Sequence, residues 1–147
     1  MNENMALKED VILSWIRLTG ILKNTRLTQG MIYNEAIVML LVNRKYQEDG
    51  IGLVSFRDIA KETKMLKSLV NRTLDSLVEK GLLTRSDGEI DRRTTYVRPV
   101  PENLEHYLTV HQHTLDMVER IIHIIGEEDA EAFIRLTNKL VAAGFEN

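Results

Sequence analysis

Cysteine is absent from the 147 residues. That excludes disulfides, zinc–thiolate centres and thiol redox sensing together. No apolar run approaches the roughly 18 residues that suggest a membrane-spanning helix. The opening MNENMALKEDVILSW has no basic-then-apolar leader pattern, so a cytoplasmic chain is expected. Also missing are a glycine-rich phosphate loop, a nucleophile elbow and clustered metal-ligand spacings, so neither catalysis nor a cofactor is expected. No internal repeat or low-complexity stretch interrupts the chain. Its length suits one domain, with room for an appended helical subdomain and a core that needs no staples.

The net charge of −3 is unevenly spread. Residues 51–100 hold ten Lys/Arg against seven Asp/Glu, a local +3, whereas residues 101–147 hold three against nine, a local −6. Residues 1–50 balance at six of each. A phosphate meets the local field, not the total, so only the middle third is a candidate for nucleic acid.

Apolar residues at Val11, Ile12, Trp15, Leu18, Ile21 and Leu22 predict a helix from Leu7 to about Thr25. Gly30 interrupts. A second helix, Asn34 to about Gln47, is apolar almost all round over Ala36–Val42, as an enclosed central helix is. After Asp49, Gly50 and Gly52, a short strand is expected at 53–55. Ser55 is placed to cap a helix over about 56–63, with Asp58 three residues on in a box-like arrangement.

A turn at 63–66 leads into a helix over Lys67–Lys80, which Gly81 ends. Leu82–Ser86 and Thr94–Val100 read as a hairpin with a polar SDGEIDRR tip. Pro99 and Pro101 close it. A long helix is expected from about Glu102 to Ile125 and a last one over about Glu128–Ala143, its acidic start suiting the helix dipole.

The segment 64–80 is the informative element. On a helical wheel Leu66, Val70, Leu74, Leu77 and Gly81 form one stripe, and Lys64, Ser68, Asn71, Arg72 and Asp75 lie opposite. Small, amide and guanidinium side chains facing outward are what a major-groove helix needs: Arg can bond guanine through two edge acceptors, and Asn can pair with adenine. The hairpin tip adds Asp91, Arg92 and Arg93. A carboxylate two residues before an arginine holds its guanidinium for a narrow minor groove. Arg85 and Arg98 are candidates for phosphate contacts. The expected fold is mainly α with a small β-hairpin wing, a winged helix-turn-helix. Helix 64–80 would sit in the major groove and wing 85–95 in the minor groove of double-stranded DNA. An alternative is a winged-helix module for protein–protein contact, which an apolar or acidic outer face would favour.

These residues resemble the MarR-type (multiple antibiotic resistance) regulators. The family's wing signature D-x-R-x-x-x-V-x-L-T appears here as Asp91-Arg92-Arg93-Thr94-Thr95-Tyr96-Val97-Arg98-Pro99-Val100, with Pro-Val in place of Leu-Thr. SLVNRTLDSLVEKGLLTR and SFRDIAKE resemble its two helix-turn-helix elements. The resemblance implies a repressor in which Ser68, Asn71 and Arg72 face bases, Lys67 flanks them, and Arg93 enters the minor groove oriented by Asp91. It implies a homodimer with a helical dimerisation region, 1–32 and 102–147, around a DNA-binding domain, 33–101. Val11, Trp15, Leu18, Leu115, Val118, Ile122, Phe133 and Leu140 are apolar residues suited to that role.

It also implies a pseudo-palindromic operator and a small-molecule effector, for which Trp15, Met31, Tyr33, Met39 and Tyr107 are the candidate lining. A zinc-sensing relative is the other alternative. His106, His111 and His113 stand five, two and seven residues apart, so His106 and His113 lie roughly 10 Å apart along a helix, too far to share an ion. Glu35, on another helix, is the outside candidate for approaching them, and a metal site is not expected.

Overall fold

The computed structural model describes residues 3–24, 28–87 and 95–144. Helices α1 (Glu3–Asn24) and α2 (Tyr33–Asp49) come first, then strand β1 (Val54–Ser55). Next come α3 (Phe56–Thr63), α4 (Lys67–Glu79) and the paired strands β2 (Leu83–Asp87) and β3 (Thr95–Pro99). A 3₁₀ turn at Pro101–Asn103 leads into α5 (Glu105–Ile125) and α6 (Glu127–Ala142). The sheet is antiparallel in the order β1-β3-β2. Pro99 sits at the end of the central strand, opposite Leu83. No helix among the described residues is long and apolar enough to cross a membrane.

The helix ends follow from local chemistry. The Ser55 hydroxyl accepts the Asp58 N–H at 3.0 Å and so satisfies one of α3's orphan donors. At α4's exit the Leu82 N–H reaches the Leu77 carbonyl at 2.9 Å and the Gly81 N–H reaches Val78 at 3.0 Å. Gly81 takes φ +76, which a residue with a Cβ resists. This Schellman arrangement also brings Leu82 onto Leu77 in the core, and it turns the chain from α4 into the wing. After α2, the Asp49 carboxylate accepts the Ile51 and Gly52 N–H groups at 2.8 and 2.9 Å. Those two bonds hold its pKa below the usual value.

The core is built around α2. Val38, Met39 and Val42 are fully buried with Ile59, Val70, Leu74, Leu77 and Val97. Tyr107 on α5 joins them; its hydroxyl is buried with no hydrogen-bond partner among the described residues. Burial pushes that hydroxyl's pKa up to about 12.

The expected element order holds among the described residues, and three placements differ, the first being α1, which begins at Glu3 rather than Leu7. α4 begins at Lys67, as the turn at 63–66 implies, and not at Lys64 as the wheel over 64–80 assumes, because Lys64 adopts φ +60 and closes α3 through its N–H to Ala60. Leu66 therefore precedes the helix as its N-cap and leaves the buried stripe, 76 % exposed. The last long helix starts at Glu105 because Pro101–Asn103 form a separate 3₁₀ turn.

α1 and α6 have no buried residue, and among the described residues α1 makes no substantial contact with any other element. The accessible surface is 11385 Å². A compact monomer of 16.9 kDa has about 7,700 Å² on the usual scaling of surface with mass. Large apolar side chains remain exposed on three helices: Trp15 and Ile21 on α1, Leu115 and Ile121 on α5, Phe133 and Leu140 on α6.

Candidate nucleic-acid interface

α4 has two chemically distinct sides. Val70, Leu74 and Leu77 are fully buried, and Thr73 joins them with its hydroxyl bonded to the Leu69 carbonyl at 2.7 Å. Lys67, Ser68, Asn71, Arg72 and Asp75 are exposed. The side chains expected to read bases thus form one solvent-facing ridge. Lys64 is also exposed, but it lies in the turn before this ridge instead of on it. Its left-handed backbone is what moves it. Asp91, Arg92 and Arg93 lie outside the described residues.

Two polar clusters fix the ridge's position, and neither was foreseen. The first is internal. Glu35 on α2 is 3 % exposed. Its carboxylate accepts from Ser76 Oγ at 2.6 Å and from Lys80 Nζ at 2.9 Å to each oxygen. One carboxylate thereby ties the C-terminal half of α4 to the central helix. A lone acid on an otherwise apolar helical face was the available signal in the sequence, but it gives no partner. Because Lys80 is half-exposed, solvent offsets part of the loss when the pair is broken. Lys80→Ala, which strands a buried charge, is expected to cost about 1–3 kcal/mol in urea unfolding, whereas replacing both Glu35 and Lys80 with Met is expected to be nearly neutral.

The second cluster lies on the surface. Arg85 on β2 reaches across to α4, forms an ion pair with Asp75 and donates to Asn71 Oδ1 at 3.0 Å. Arg85, expected at phosphates, is engaged with the ridge on α4. Arg98 is exposed on β3.

The five residues expected to line an effector pocket do not gather around one cavity. Met39 and Tyr107 belong to the core, while Trp15 and Tyr33 are more than half exposed. Met31 alone borders an open cleft of about 810 Å³ formed by Gly30–Ile32, Glu35, Lys80 and Leu82, and by Glu102, Asn103, Glu105 and His106. The histidines are occupied separately: His106 Nε2 lies 3.0 Å from the Gly30 carbonyl, and His111 stacks on Tyr107 at 5.5 Å. Among the described residues no group of three His, Cys, Asp or Glu is placed to hold a metal ion. Glu35 binds α4 and not the histidine helix.

Residues 37–94 match the sequence model of the MarR family. No curated protein sequence matches the chain. Among solved structures, the transcriptional regulator BldR from Sulfolobus solfataricus is similar at a TM-score of 0.72 and 20 % identity, over 97 % of this chain and 99 % of that one. PcaV, a transcriptional regulator from Streptomyces coelicolor with its natural ligand bound, is similar at 0.68 and 15 %, over 91 % of each chain. A variant of MarR from E. coli, complexed with operator DNA, is similar at 0.68 and 16 %, over 90 % and 95 %. Residues 37–94 thus match the MarR family's sequence model, and the described helices and strands have the winged helix-turn-helix fold of these solved regulators.

Proposed function

We propose that this protein is a sequence-specific DNA-binding transcriptional regulator, that it acts as a homodimer, and that it represses. The observation that carries the reading is the outward ridge Lys67, Ser68, Asn71 and Arg72, opposite three fully buried side chains on the same helix and beside a two-stranded wing. α4 occupies the major groove, with Ser68, Asn71 and Arg72 against base edges and Lys67 at the phosphates. Arg93, held by Asp91, enters the minor groove, and Arg92 lies beside the backbone. α1, α5 and α6 form the dimer region. The two-fold axis places two half-sites about one helical turn apart, ~34–36 Å. The cleft beside Lys80 and His106 is the candidate seat for a small-molecule effector. NadR in complex with 4-hydroxyphenylacetate, 18 % identical, has the same fold.

The test is retention and sequencing of duplex fragments from the source genome. Wild-type protein is expected to enrich a pseudo-palindromic site, with affinity falling steeply as salt rises. Arg72→Ala is expected to weaken the enriched site by about 1–3 kcal/mol, and Arg93→Ala to reduce binding to most sites. Fragments retained without any common sequence would overturn the reading.

A further inference from the structure

We propose that Arg85 is a specificity-determining positioning residue that presents the amide nitrogen of Asn71 to DNA and turns Asn71 from an adenine reader into a guanine reader. The inference rests on the placement of α4 in the major groove.

Asn71 is exposed on the recognition ridge, and its contact with Arg85 Nη2 is 3.0 Å. A guanidinium carries only donors, so the amide atom facing it must be the oxygen. The other guanidinium nitrogen is paired with Asp75, one helical turn further along α4. Arg85 thus spans two side chains of the same helical face, and Asp75 fixes the orientation in which it meets Asn71. Among the described residues the Asn71 amide nitrogen has no partner of its own.

This geometry selects one base chemistry. Asparagine pairs with adenine by accepting from N6 while donating to N7, which requires both ends of the amide. Here one of the oxygen's two lone pairs is taken by a cation on β2, which weakens it as an acceptor for adenine N6 and makes the –NH₂ group the stronger contact for a base. Guanine offers two neighbouring acceptors in the major groove, N7 and O6, and both suit a donor pair. Arg85 also offsets Asp75, whose charge would otherwise stand unopposed on a surface facing phosphates. Lysine cannot replace it, because an ammonium lacks the planar fork that serves two acceptors in a fixed relation.

The experiment is selection from a randomised duplex pool with wild-type protein, Arg85→Ala, Arg85→Lys, Asn71→Ala and the Asn71→Ala/Arg85→Ala double variant. Wild type is expected to favour guanine at one position of each half-site, and Asn71→Ala to flatten that position. Arg85→Ala and Arg85→Lys are each expected to shift the guanine-to-adenine ratio there toward adenine by roughly tenfold, on the order of one edge-pairing discrimination. In the Asn71→Ala background, Arg85→Ala is expected to have no further effect at that position. An unchanged ratio in both Arg85 variants, or an equal shift when Asn71 is already gone, would overturn the inference and leave the DNA-binding reading intact. Failure of the wild type to select any sequence would instead remove that reading, and this inference with it.

Discussion

Leu74→Ala is expected to destabilise the folded chain by about 2–5 kcal/mol. Leu74 lies at the centre of α4's inner stripe with no exposed surface, in the cluster that includes Val38, Val42, Val70, Leu77 and Val97. Those neighbours come from α2, α4 and the central strand, so no single element can relax to fill the cavity. Arg72→Ala, two residues earlier on the same helix, removes an exposed side chain and is expected to change stability by no more than about 0.5 kcal/mol. The pair therefore separates the helix's two sides: one position carries folding, the other the proposed contact with DNA. Urea unfolding at fixed protein concentration provides the comparison, because association adds to apparent stability. Equal stabilities for the two variants would mean that α4 has been assigned its faces wrongly.

The second large effect concerns association. Trp15→Asp on α1 and Leu115→Asp on α5 are each expected to convert a dimer into a monomer in sedimentation, weakening self-association by at least about 100-fold. A carboxylate buried without a partner costs several kcal/mol, and each 1.4 kcal/mol is tenfold in an equilibrium constant. The surface supplies the reason. The chain exposes 11385 Å², about 3,700 Å² more than a compact chain of its mass. An obligate homodimer interface buries a total of about 2,000–5,000 Å² or more, about half of it from each partner, so pairing of these helices would cover a large part of that excess.

Ile51→Asp is the matched control. Ile51 is 59 % exposed but lies in the turn before β1, outside the three helices, and the variant is expected to remain dimeric. DNA affinity is expected to fall with dimerisation in the first two variants, because one half-site then supplies all the contacts. A wild-type protein that sediments as a monomer, or Asp variants that stay dimeric, would contradict the proposed interface.

What the sequence determined on its own is whatever a short stretch of chain decides. The Ser55 cap, the glycine stop after α4, the buried spacing of Val70, Leu74 and Leu77, and the two strands of the wing all depend on neighbours within a turn or two. Each is legible from propensity and period. The exposed ridge of Ser68, Asn71 and Arg72 follows from the same periodicity, since fixing one side of a helix fixes the other.

The tertiary structure decided what depends on elements distant in sequence. Wheel geometry carried Lys64 and Leu66 onto the helix because it assumes helical dihedrals, and one left-handed residue breaks that assumption. Trp15, Tyr33, Met39 and Tyr107 share apolar character, yet two entered the core and two stayed at the surface; periodicity records that a side chain avoids water but not what covers it. Glu35 with Ser76 and Lys80, and Arg85 with Asp75 and Asn71, join residues 10 to 45 positions apart. Such pairings come from how the helices and strands cross, so the charge on each residue is visible in the sequence while its partner, and therefore its role, is not.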